Sequence, residues 1–177
     1  MAVLSDKGDP PEAVQGLLAM LDAKGAEAER IYPPIQTELR LYAGLLAAHG
    51  DDRVGVDDAL RRTQDSSIIR DYPTVAQLQQ VVLAEQERLA GKPQAAVARL
   101  APLAKQDTAL VSVHWALMRS AQASRDDAVA TAQRQWLRTH RGRVFVESTT
   151  SDVLRFFNIA VSGEALRSEH AANRPVK

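Results

Sequence analysis

Apolar residues recur along this chain at three- and four-residue steps, the spacing of one face of an α-helix. The clearest pair of stripes runs from Val81 to Leu103. Leu83, Ala84 and Leu89 belong to one helix, and Ala96, Val97, Leu100 and Leu103 to a second. Gly91 stops the first, because glycine takes the positive φ that closes a helix without steric cost. Pro93 starts the second at a first-turn position, where a missing N–H breaks no bond. A loop of about two residues makes the pair antiparallel and in contact.

The same reading extends in both directions. Asp9 as N-cap, Pro10 in the first turn and Glu12 predict a helix carrying Val14, Leu17, Leu18 and Leu21 and ending at Gly25. Ala26 to Ile31 reads as a short helix that Pro33-Pro34 interrupts. Ile35, Leu39, Tyr42, Ala43 and Leu46 share the next face, which Gly50 ends. Asp51 to Asp57 reads as a polar loop, Asp58 to Thr63 as helix, and Ser66 to Asp71 as an irregular linker. Pro73 opens the helix through Val75, Leu78 and Val82. Downstream, Asp107 is the predicted cap of a helix with Leu110, Val113, Leu117 and Ala121. Ser124, with Asp127 three residues on, is the predicted cap of a helix with Val129, Ala132 and Trp136. His140 to Arg143 reads as a turn. Val144-Phe145-Val146 is strand-like but too short for a sheet. Ser151 opens a helix with Phe156 and Phe157, and Leu166 belongs to a last one. The expected fold is therefore all-α, one domain over residues 1–177, with Leu83, Leu100, Leu117 and Trp136 in its core.

Composition narrows the function classes. The chain has no cysteine, which removes disulfides, thiolate metal sites and a cysteine nucleophile. Its 22 basic and 22 acidic residues cancel, so no global field favours nucleic acid or an anionic membrane. The N-terminus lacks the basic and apolar regions of a signal peptide, and no apolar run approaches the roughly 18 residues needed to span a bilayer. A cytoplasmic location without a membrane span is the expectation.

Specific chemistry is sparse. His49, His114, His140 and His170 never fall at the spacing that aims two ligands at one metal from one helix. The acidic run Asp51 to Asp58 fails the EF-hand pattern and lacks its distal glutamate. No P-loop, dinucleotide fingerprint, nucleophile elbow or zincin motif occurs. Glu85 and Glu87 lie two apart on a helix and face different ways, so they are no catalytic pair. An enzyme and a bound cofactor are not expected. The one charge bias lies between Ala128 and Val146, where Arg134, Arg138, Arg141 and Arg143 occur without an acid. Such a basic stripe suits a phosphate or an acidic partner, or it loads a helix C-terminus against the macrodipole. It carries the alternative reading, a ligand- or nucleic-acid-binding regulatory domain. Nucleic acid is disfavoured because the basic surface is narrow and lacks interleaved aromatics.

The hairpin pattern repeats. Leu83 to Trp115 and Ala96 to Ala128 are both steps of 32 positions. Leu83-Ala84, Gly91 and the Ala96…Leu100 pair, echoed by Trp115-Ala116 and Ala128…Ala132, resemble the tetratricopeptide repeat family, whose units pair a large with a small residue in each helix. Gln80 and Ser112 stand where that family has tryptophan, Glu87 and Arg119 where it has tyrosine, and its closing proline is absent. Degenerate repeats of this kind are common in bacterial proteins that resemble the family. The resemblance implies antiparallel hairpins over residues 34–140, stacked as a short right-handed α-solenoid, with capping helices over residues 148–173. It also implies a scaffold that binds a peptide or partner domain, as the docking or sensor module of a larger regulatory protein. The first helix of each hairpin would line the concave face. Arg40, Glu85, Arg88 and Arg119 are the charged residues of those helices that the apolar stripes leave over. They are the candidate partner-binding residues, or they pair with one another across neighbouring helices.

Overall fold

The structure, a computed structural model, describes residues 26–140 together with Gly16, Leu18, Ala19 and Ala23. The helix start at Asp9, the run Val144 to Val146 and the helices around Phe157 and Leu166 lie outside the described residues. Every regular element among the described residues is helical. Residues 26–31 are helical, and Pro33-Pro34 form the turn that follows. Then come α1 (Ile35–His49), α2 (Arg53–Thr63), α3 (Ser67–Asp71), α4 (Pro73–Leu89), α5 (Pro93–Leu100), a 3-10 turn (Leu103–Lys105), α6 (Val111–Ser124) and α7 (Asp127–Thr139).

Local chemistry sets these boundaries. Gly91 takes φ 74° between α4 and α5, and Pro73 and Pro93 occupy the first turns of α4 and α5. Leu103 is not part of α5. Pro102 cannot donate to the carbonyl four residues back, so the helix ends at Leu100 and tightens into the 3-10 turn.

Four expected boundaries are corrected. The polar loop after Gly50 is shorter than expected, because Asp52 caps α2 by accepting from the Gly55 N–H at 3.1 Å. Residues Arg53 to Asp57 are the first turn of that helix: Val56 turns into the core, while Arg53 and Asp57 pair at 3.7 Å on the outer side, one turn apart. The linker around Ile68-Ile69 is the helix α3, which lays both isoleucines partly buried against the core. Asp107 does not cap α6. Gln77 of α4 binds that segment instead, accepting from Leu110 N–H at 3.0 Å and donating to the Thr108 carbonyl at 3.3 Å. Ser124 lies inside α6; Arg125 closes it in the left-handed region at φ 61°, and Asp126 caps α7 through the Val129 N–H.

The helices pack as neighbours in the chain. α1 pairs with α2, α4 with α5, and α6 with α7. The first members also touch one another, α1 against α4 and α4 against α6. Between them lie Leu41, Tyr42, Leu45, Leu78, Val82, Trp115 and Leu117, all essentially without exposure. Gly44 permits a close approach of α1 to both α2 and α4: a Cβ there would sit 2.8 Å from Ala59 Cβ and 3.1 Å from Val82 Cγ1. Of the expected core residues, Leu100 and Leu117 are buried, whereas Leu83 and Trp136 are only partly buried against its edge. Trp136 is held by stacking instead, with the ring of His114 at 3.4 Å on one contact and that of His140 at 4.2 Å on another.

Candidate functional site

Three of the four charged residues left over by the apolar stripes meet in one place. α4 carries Glu85 and Arg88 one turn apart, so both side chains reach the same side of the helix. α6, packed alongside, brings Trp115 and Arg119, again one turn apart. The loop after α1 adds Asp51. Arg88 Nε donates to Glu85 Oε2 at 2.7 Å. Its Nη2 reaches the other way, to Asp51 Oδ1 at 3.0 Å and the Ala48 carbonyl at 3.3 Å. Arg119 completes the cluster, with Nη2 3.5 Å from Asp51 Oδ1 and Nη1 3.8 Å from Glu85 Oε2. Its guanidinium lies over the Trp115 ring at 4.7 Å, a cation–π distance. His49 flanks the same indole at 6.0 Å.

The four charges differ in their access to water. The Glu85 side chain is wholly buried, those of Arg88 and Arg119 are 13% and 17% exposed, and that of Asp51 is 68% exposed. Burial works against the charge on Arg88, but Glu85 first and then Asp51 outweigh it and hold the guanidinium above its ordinary arginine value. Glu85 Oε1 and Arg119 Nη1 are buried without a hydrogen-bond partner. Two cations and two carboxylates thus balance across two helices and a loop, with the inner carboxylate sealed and the outer one in water. Arginine keeps its proton at any ordinary pH, so the cluster is suited to recognising charge rather than to moving protons.

The remaining candidates fall elsewhere. Arg40 is half-buried on α1, eight positions before Ala48 and so about 12 Å along the helix axis; among the described residues no ion pair joins it to the cluster. Glu87 points away from Glu85 and holds Arg99 of α5 through Nε at 3.1 Å. Arg134 is half-buried and Arg138 exposed on α7, while Arg141 and Arg143 lie outside the described residues. His114 is buried and bonds Gln133 at 2.8 Å. Among the described residues no group of three or more histidines and acids could hold a metal ion, and no helix is long and apolar enough to cross a membrane.

Asp51, Trp115 and His49 were not marked as site residues by the sequence. Asp51 lies 37 positions from Arg88, and nothing local sets it apart from the acids that follow it. Its one sign is its place just after Gly50, at a helix end where the chain turns; the backbone there takes φ 55°.

Compared with known protein families, with curated proteins and with solved structures, the chain has no match in any of the three.

Proposed function

We propose that this chain is a protein–protein interaction scaffold of degenerate tetratricopeptide-like repeats. In this reading its hairpins stack as a short right-handed α-solenoid. α1, α4 and α6 line the concave side, and a peptide or partner domain binds there. Arg88 and Arg119 supply the central charge, Arg40 extends the contact along α1, and Glu85 fixes the arginines in place. The chain works by binding rather than by catalysis, in the cytoplasm, as the docking or sensor part of a larger regulatory assembly.

One observation carries the reading: the first helices of successive hairpins touch one another, and charged residues of α4 and α6 converge with Asp51 where they meet. A cluster that gathers two guanidiniums and two carboxylates from α4, α6 and the loop after α1 has the arginine content typical of interaction hot spots. Arginine's planar fork also suits carboxylates and carbonyls better than lysine does.

The test is selection of peptides by the full-length chain from a displayed library, followed by backbone NMR mapping of the selected peptides. Shifts concentrated on α1, α4 and α6 support the proposal. Shifts confined to α7 around Arg134 and Arg138, with binding that weakens steeply as salt is added, would instead favour a basic-stripe site for a phosphate-bearing ligand.

A further inference from the structure

The geometry of the cluster points to a more specific assignment, which rests on the binding reading above. We propose that Arg88 and Arg119 form a seat for a single aspartate or glutamate side chain of a partner peptide, and that the chain's own Asp51 fills that seat until the partner displaces it.

The two carboxylates of the cluster have different positions. Glu85 is sealed between helices and engages Arg88 through Nε, the inner edge of the guanidinium. Asp51 approaches from the solvent side and engages the outer Nη2 atoms of both arginines through one oxygen, Oδ1. Glu85 alone cannot neutralise two guanidiniums. Without Asp51 the cluster carries one uncompensated positive charge, at a place open to water. One carboxylate restores the balance, which is why a monoanionic side chain fits better than a doubly charged phosphate.

The Asp51 side chain is also loosely held for an occupant. It is 68% exposed, and ion pairs of that exposure hold weakly. The residue's backbone, in the left-handed region, is held by the Asp51 and Asp52 N–H groups donating to the Ala48 and Ala47 carbonyls at 3.1 and 2.8 Å, so the side chain alone can swing away. The seat, by contrast, stays in place when Asp51 leaves: Arg88 keeps Glu85 and the Ala48 carbonyl, and Arg119 keeps the Trp115 ring. A preorganised pair of donors with a weakly held internal occupant is a site that an external carboxylate enters by exchange. The occupant being a side chain on a turn, rather than a chain end, selects the side-chain source.

The test uses the full chain and a fluorescent peptide of alternating glutamate and alanine, acetylated and amidated so that only side chains carry charge. Asp51→Asn and Asp51→Gly both accept the left-handed backbone, and far-UV circular dichroism and thermal melting check that they fold. Both should bind the peptide about two- to fivefold more tightly than the parent chain, the range set by the weak exposed pair they remove. Adding Arg119→Met to either should abolish the gain. If both Asp51 variants bind like the parent while Arg119→Met weakens binding, Asp51 is not the competitor; the inference fails and the binding reading stands. If no variant binds the peptide, both fail. If a glutamine counterpart with a free C-terminal carboxylate binds as well, the seat takes a chain end and the side-chain assignment is wrong.

Discussion

Replacing Arg88 by methionine keeps the aliphatic stem and removes the charge that faces Glu85. Glu85 has no exposure in the folded chain, so its carboxylate cannot recruit bulk water in place of the lost guanidinium. Breaking a buried pair by deleting one member costs about 3–5 kcal/mol, most of it the uncompensated charge left behind. Arg119 remains 3.8 Å from Glu85 Oε2 and offsets part of this, which places the expected loss near 3 kcal/mol. For a chain of this length that corresponds to a melting temperature lower by roughly 6–12 °C. Urea unfolding at pH 7, followed by far-UV circular dichroism, measures it. Arg88→Met combined with Glu85→Leu should recover most of the loss, since well-packed apolar replacements of buried pairs are neutral or stabilising. A loss under about 1 kcal/mol for the single variant, or a double variant no more stable than the single one, would mean that Glu85 is not sealed as described. The same reasoning makes Arg119 the better residue for binding tests, because its removal leaves the 2.7 Å Arg88–Glu85 bond intact.

Leu100→Ala should cost about 2–5 kcal/mol by urea unfolding, as expected for a leucine with no exposure; a change under half a kcal/mol, roughly, would show that α5 does not face the core. Gly44→Ala sets a helix-propensity gain of about 1 kcal/mol against overpacking of about 1–3 kcal/mol where its Cβ meets Ala59 and Val82. A net loss near 1 kcal/mol is expected, and a net gain would contradict the close approach of α1 to its neighbours. Glu38 is buried, which raises its carboxyl above the ordinary 4.5 while a hydrogen bond from Tyr32 pulls it part of the way back. A raised carboxyl contributes stability that is present below pH 4.5 and lost as pH rises through the folded-state value. Glu38→Gln should therefore melt higher than the parent at neutral pH, with an advantage that fades on acidification; an advantage independent of pH would refute this.

Much of the helical order could be read from the chain because its signals are local. Gly91, Pro73 and Pro93 act through their own backbone, so they mark their boundaries whatever surrounds them. A boundary is hidden from local sequence where several residues of one kind compete, or where a distant side chain decides. Asp51 and Asp52 look alike in sequence, yet one closes α1 in the left-handed region and the other caps α2. Ser124 and Asp126 compete for the start of α7, and Arg125 takes the positive φ for which no glycine is supplied. The start of α6 is set by Gln77, 33 positions upstream, a partner that no window of residues around Asp107 contains. The site follows the same division. Glu85, Arg88 and Arg119 stood out because apolar periodicity did not account for them. The three-residue step from Glu85 to Arg88 puts that pair on one side of a helix, but that Arg119 and Asp51 join it depends on how α1, α4 and α6 pack, and no spacing along the chain encodes it.

The most direct test of the binding account observes the arginines themselves. Side-chain Nε–Hε resonances of the full-length chain, assigned by Arg88→Lys and Arg119→Lys, can be followed while the glutamate–alanine peptide is added. The account predicts that the Arg119 and Arg88 signals shift together with the Asp51 backbone amide, along one saturating curve. Saturable shifts on Arg134 and Arg138, with Arg88, Arg119 and Asp51 unmoved, would contradict it.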